Sequence, residues 1–177
     1  AKGSIVIQAG RKIKPQDMGA LAAIGITEIE VLRKPVVSII STGDEIVSAD
    51  CVPSEGQIRD SNSYYLFGAV LMCGGIPLRK GIFKDSFEDI FNAVRDALNE
   101  SDIVLMTGGS SVGTRDMAER VINSFEKPGV IVHGVLMKPG KPTLFGFSGQ
   151  KPIFGLPGHP AAVAVSFETF VKPFIKM

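Results

Sequence analysis

Apolar and polar residues change their spacing several times along this chain, and each change marks an element. From Val36 to Ser41 the run Val-Val-Ser-Ile-Ile-Ser is β-rich without alternation, the pattern of a strand covered on both faces. Ser61–Cys73 reads as a helix closed by Gly74 and Gly75, and Ile76–Phe83 as the strand after it. Phe87, Ile90, Phe91, Val94 and Leu98 fall on one helical face, with Asp85 and Glu88 placed to form a capping box at its start. Asp102–Thr107 repeats the buried-strand pattern, a Gly/Ser loop follows, and a helix is predicted near Asp116–Phe125. Val130–Met137 is predicted as a further strand. Thr143–Phe147 and Pro152–Gly155 should pair as a hairpin across Ser148-Gly149-Gln150. A last helix starts at Pro160 and buries Val163, Phe167 and Phe170. Strands alternating with helices in this way predict an α/β fold of three layers, doubly wound on a mostly parallel sheet, with a hairpin on the C-terminal side. Ligands then belong beyond the carboxyl ends of the strands.

The first 34 residues are patterned differently. They read as a strand with loose alternation (Ile5, Ile7), a turn at Gly10, a short helix with Pro15 in its first turn, and another strand. The helix has an apolar face at Met18, Leu21, Ala22 and Ile24, and Gly25 ends it. These pieces are too few to close a core. Residues 1–34 are therefore expected to be a lead-in from a preceding domain, residues 35–177 the α/β domain, and the whole a piece of a longer polypeptide.

Composition narrows the partners. The 177 residues are 45% apolar, enough for a core, and 19 Lys and Arg stand against 18 Asp and Glu. That balance argues against a nucleic-acid-coating domain, and the absence of Trp with only two Tyr argues against base stacking. Any anion site must be built locally. Cys51 and Cys73 have no metal-ligand spacing and read as free thiols, Cys73 as a packed one. No run is long enough to span a membrane and the start has no secretory core, so a soluble, cytoplasmic protein is expected.

Four motifs fall just past predicted strands. Thr42-Gly43-Asp44-Glu45 either turns the chain with a solvated carboxylate or delivers an acidic pair to the sheet edge. Gly108-Gly109-Ser110-Ser111-Val112-Gly113-Thr114-Arg115-Asp116 carries the glycines, hydroxyls and following helix start that hold a phosphate without net basic charge. Its Asp116 is either a Mg²⁺ ligand or a helix cap, and the Gly-Lys-Ser/Thr ending of a Walker loop is missing. Lys138-Pro139-Gly140-Lys141-Pro142 holds two point charges on a loop stiffened by prolines. Gly155-Leu156-Pro157-Gly158-His159-Pro160 opens the last helix, where His159 either meets a ligand or caps the helix. His133 reads as packing or surface. Asp60-Ser61-Asn62 opens a helix after Gly56-Gln57-Ile58-Arg59, with either Asp60 or Ser61 as a candidate for nothing more than its N-cap, and Asp85 is fully explained as an N-cap although it too follows a strand.

The order of these motifs resembles the MoeA and gephyrin E-domain family, the molybdopterin molybdenumtransferases, from about Lys34 to the end. Lys-Pro-Gly-Lys-Pro and Gly-Leu-Pro-Gly are its specific elements. The resemblance implies a MoaB/Mog-like central domain that binds adenylylated molybdopterin and molybdate. The reaction it implies cleaves the pyrophosphate link, releases AMP and seats the metal, with Mg²⁺ assisting. Carried over, Asp44, Asp85 and Asp116 would be the acidic residues, with Asp44 and Asp116 as candidate metal ligands. Lys138 and Lys141 would bind the anion, while Thr42, Gly43, Asp60, Asn62, Gly108, Gly109, Ser110, Ser111 and Gly113 would line the pterin-phosphate site. Pro139, Gly140, Pro142, Pro157, Gly158 and His159 would shape it. The family often has Asn at the position of His159 and Val at that of Ser110. It also implies a homodimer in the full-length protein, with further domains completing the site. Three rival readings share the scaffold: a MoaB/Mog-type adenylyltransferase, a receptor-anchoring module as in gephyrin, and a CinA-type nucleotide-processing domain.

Overall fold

A computed structural model describes residues 3–108 and 112–176, with the main chain alone for 112–115. The chain divides into two units, Ala1–Arg33 and Lys34–Met177.

In the first unit one helix forms, α1 (Pro15–Ala23). Asp17 anchors its start, accepting from the Lys14 main-chain N–H at 2.9 Å and from Arg11 at 2.8 Å. Gly25, at φ +81, lets the Gly25 and Ile26 amides cap the last carbonyls. The two strands expected on either side are not formed among the described residues, and Ile5 and Leu32 are 79% and 89% exposed. A strand needs a neighbour for its main-chain groups, and this unit supplies none.

The second unit is built on a six-stranded sheet. Its strands are β1 (Val36–Thr42), β4 (Ile76–Phe83), β5 (Ile103–Gly108), β6 (Pro128–His133), β7 (Leu144–Ser148) and β8 (Lys151–Leu156), in the order β4-β1-β5-β8-β7-β6. A separate two-residue pair, β2 (Ile46–Val47) with β3 (Ile58–Arg59), lies in the β1–α2 connection. β4, β1, β5 and β8 are parallel, and β7 alone runs against its neighbours. The helices are α2 (Asn62–Cys73), α3 (Phe87–Glu100), α4 (Val112–Asn123), α5 (Pro160–Ser166) and α6 (Lys172–Lys176), the last two joined by a π-helical turn over Phe167–Val171.

Each buried strand splits its side chains between two cores, so no polar alternation is visible. Val37 and Ile39 pack with Leu66, Val70, Val163 and Phe167 against α2 and the C-terminal helices. Ile40 packs with Ile90, Val94 and Val121 against α3 and α4. Cys73 packs at the edge of the first core and Cys51 is exposed, both as free thiols. The predicted three-layer α/β fold and its β7–β8 hairpin are therefore formed.

Three boundaries differ. β6 ends at His133, well short of Met137, because Gly134 turns the chain at φ +87. α4 begins at Val112, which places Asp116 in its second turn, so the helix-cap reading of Asp116 does not hold. The N-cap of α3 is Ser86, whose hydroxyl accepts from the Asp89 amide at 3.2 Å, so Asp85 is not the cap. No helix of the described residues is long and apolar enough to cross a membrane.

Candidate functional site

Connections from adjacent strands β1 and β5 leave toward opposite faces: β1 leads to α2, β5 to α4. Such a divergence opens a crevice at the carboxyl rim. Its floor is tight. Thr42 pairs with Gly108 across the two strand ends, and a Cβ on Gly108 would lie 1.9 Å from the Thr42 carbonyl oxygen. Only glycine fits there, at φ +136. The Gly43 amide donates to the Phe83 carbonyl at 3.2 Å, tying the end of β4 to the same floor.

Because β7 is antiparallel, the β6–β7 connection returns to this rim and carries Lys138–Pro142 with it. That loop is held by its own main chain. The Val135 amide donates to Lys141 and the Gly134 amide to Thr143. The Gly140 carbonyl accepts from both the amide (3.0 Å) and the hydroxyl (2.7 Å) of Thr143, and that hydroxyl lies 2.8 Å from Ser166 on α5. A Cβ on Gly140 would meet Met137 at 2.3 Å and Ser166 at 3.0 Å, so the loop lies flat on the helix only with glycine there. Lys138 and Lys141 are exposed, without an ion-pair partner among the described residues, and Pro139 lies exposed between them.

Two cavities open on the crevice and share Thr107 and Gly108. The larger, about 250 Å³, is lined by Glu45, Arg59, Asp60, Asn62, Gly158 and His159 among others. The smaller, about 30 Å³, brings Pro142 of the lysine loop beside Thr42, Gly108 and Pro157. Loops after β1, β5 and β8 thus meet the lysine loop at one rim. Gly109, Ser110 and Ser111 lie outside the described residues, and Gly113 sits in the first turn of α4.

Asp60 is buried and fully engaged. Its carboxylate accepts from the Ser41 hydroxyl (2.9 Å), the Ser63 amide (3.0 Å) and the Ser63 hydroxyl (2.6 Å), and Arg79 donates on to Ser63. Asn62 donates through Nδ2 to Thr107 Oγ1 (3.1 Å) and to the Gly158 carbonyl (2.8 Å), while its Oδ1 has no partner. The His159 side chain does not cap α5; the residue is exposed on the cavity wall. His133 is a surface residue, its Nδ1 2.8 Å from Glu119.

At the end of β4 the acidic groups gather differently. Asp44 Oδ1 accepts from the Asp85 amide at 3.3 Å, and Asp85 Oδ1 is buried without a donor. Desolvation pushes the Asp85 pKa up, and the nearby charges of Glu45 and Asp44 push it further. These are hard oxygen donors of the kind Mg²⁺ takes. Among the described residues, however, no three acidic, His or Cys side chains gather closely enough to hold a metal by themselves. Mg²⁺ commonly keeps several waters and is held by one or two carboxylates plus substrate phosphates, which the Asp44–Asp85 corner suits. Asp116 is exposed on α4.

Arg59 and Thr107 line the large cavity although the sequence gave them no role, and Glu45, expected only as half of an acidic pair, lines it with them. The signal for Thr107 was available: it is the polar residue that ends a buried strand at the carboxyl rim. Arg59 stands inside Gly56-Gln57-Ile58-Arg59, a motif read only as the lead-in to Asp60-Ser61-Asn62.

Residues 38–177 match the family model described as "Probable molybdopterin binding domain". A protein of Methanocaldococcus jannaschii named "Putative molybdopterin biosynthesis protein" is 40% identical over 98% of this chain and 45% of its own length. The molybdopterin molybdenumtransferase of Bacillus subtilis is 36% identical over 99% of this chain and 40% of its own. A crystal structure of a molybdopterin biosynthesis MoeA protein from Pyrococcus horikoshii superposes with a TM-score of 0.83 at 34% identity, covering 97% of this chain and 42% of that one. The chain therefore spans less than half the length of these relatives.

Proposed function

We propose, for a chain that belongs to the molybdopterin-binding domain family of MoeA-type molybdenum cofactor biosynthesis proteins, that it forms the part of a molybdopterin molybdenumtransferase that holds adenylylated molybdopterin and molybdate. In this reading AMP is released as the metal is seated on the dithiolene. The observation that supports it most is the meeting of the lysine loop with the β1, β5 and β8 loops at one rim, where Pro142 shares a cleft with Thr42, Gly108 and Pro157.

Molybdate is a tetrahedral dianion, and Lys138 and Lys141 supply local positive charge to hold it in a chain of near-neutral balance. The prolines between and after them limit the freedom lost on binding. Asp44 and Asp85 form the acidic side of the site, and the family motif adds Asp116 on α4 to it. A Mg²⁺ held by such carboxylates and the substrate phosphates would neutralise charge as the pyrophosphate link breaks.

The test uses the full-length protein with adenylylated molybdopterin and molybdate, reading AMP release. Lys138→Ala with Lys141→Ala should lower the rate about 100-fold or more, with unfolding unchanged. Asp116→Asn should abolish release and leave the melting temperature where it was, since Asp116 is not a cap. Product made only from molybdopterin and Mg·ATP would instead identify an adenylyltransferase, and this reading would fail.

A further inference from the structure

A line of hydrogen bonds runs from the outer surface to the wall of the large cavity. It starts at the exposed Arg79 on the edge strand β4, whose guanidinium lies 3.6 Å from the centre of the exposed Tyr64 ring. Arg79 Nε donates to the Ser63 hydroxyl at 3.0 Å. An arginine only donates, so that oxygen must accept here and send its single proton elsewhere. The proton goes to Asp60 Oδ2 at 2.6 Å, where the Ser41 hydroxyl also arrives at 2.9 Å. Ser41, Asp60 and Ser63 are all buried. Arg79 makes no ion pair among the described residues, so its contribution inward is the Nε donor.

Asp60 is the joint to which this line leads. Its carboxylate ties the end of β1 to the start of α2, and its amide donates to the Val47 carbonyl at 2.9 Å, which fixes β3 on β2. Ser41, Glu45, Arg59, Asp60 and Ser61 of the cavity lining stand on or beside these ties. Without the Arg79 donor the Ser63 hydroxyl is free to turn toward main-chain carbonyls, as serines near a helix start readily do. Asp60 then loses its shortest bond, and the lining loses the group that holds it.

Resting on the reading above, in which this crevice holds adenylylated molybdopterin, we propose that Arg79 is a positioning residue. Acting through Ser63 and Asp60, it sets the wall of the large cavity, and so the affinity for the substrate, without touching that substrate. The lysine loop is braced separately on α5, through Thr143 and Ser166, so the effect falls on binding and spares the turnover of bound substrate.

Two substitutions of equal length test this in the full-length protein. In Arg79→Met a methyl group takes the place of Nε, whereas in Arg79→Gln an amide N–H returns there. Both remove the charge and the guanidinium stacked on Tyr64. Arg79→Met should raise KM for adenylylated molybdopterin in AMP release about fivefold, with kcat within about twofold. It should also speed hydrogen exchange at the Ser63 amide, the donor to Asp60 Oδ1, relative to the amides of α3. Arg79→Gln should leave both readings near those of the unsubstituted protein. In a Ser63→Ala background, Arg79→Met should add nothing further, because the line is already cut. Equal effects of the Met and Gln substitutions would overturn the proposal, since charge or stacking would then be what matters. So would an unchanged KM and exchange rate in Arg79→Met. Absence of AMP release in the unsubstituted protein would instead sink the molybdenumtransferase reading, and exchange at Ser63 would still decide whether Arg79 sets the wall.

Discussion

Asp60 and Asp85 stand at the same rim, each a residue or two ahead of a helix, and each could be read from the sequence as an N-cap. Asp60 is buried with three donors on its carboxylate and a fourth group, Arg79, bracing the serine that binds it. Asp85 keeps one buried oxygen with no donor at all, faces Asp44 and Glu45, and has given the cap position to Ser86. The first carboxylate holds the β1–α2 connection in place; the second is kept under tension by its surroundings. A carboxylate that is satisfied tells of architecture, and one left wanting a partner tells of a ligand.

That contrast can be broken most easily at Asp60. Asp60→Ala removes three hydrogen bonds and strands two buried hydroxyls, and should cost about 3 kcal/mol in a denaturant titration. A loss below about 1 kcal/mol would mean the network is not structural. Ser86→Ala should cost about 1 kcal/mol through loss of the α3 cap, while Glu88→Ala, absent from the capping geometry, should cost almost nothing.

The smallest effect has the opposite sign. Asp85 has its pKa raised in the folded protein, so its contribution to stability is present at acid pH and is lost as pH rises through the folded value. Asp85→Asn removes that penalty. The variant should match the wild type near pH 4 and become the more stable of the two toward pH 7, by less than about 1 kcal/mol because solvent screens the site. If the gap shrinks or reverses with rising pH, Asp85 is not destabilised by its neighbours.

The sheet and its helices were legible because their residues obey strong periodicities. Val36–Ser41 and Asp102–Thr107 could only be doubly covered strands, and the Phe87–Leu98 face could only be a helix packed on a core. The first 33 residues misled because alternation at Ile5 and Ile7 resembles a strand while saying nothing of a pairing partner. The site was legible as a set of loops and illegible as contacts. Spacing placed Thr42–Glu45 and Lys138–Pro142 beyond strand ends, but it did not say that Thr107 would fix the amide of Asn62, 45 residues away. Nor could it separate Asp85 from Ser86, adjacent residues that both suit a cap. Hydrogen-bond satisfaction is a property of the folded neighbourhood and has no local signature.

The lone reversed strand, β7, has a use outside the chemistry. It starts beside the binding loops and finishes at the far end of the sheet, where Gly149 and the exposed Gln150 join Ser148 to Lys151. A reporter, such as a short peptide tag or a fluorophore, inserted after Gln150 would sit a full strand length from the crevice and stay covalently coupled to it. The turn that closes the hairpin is thus a natural attachment point for watching occupancy without touching the ligand.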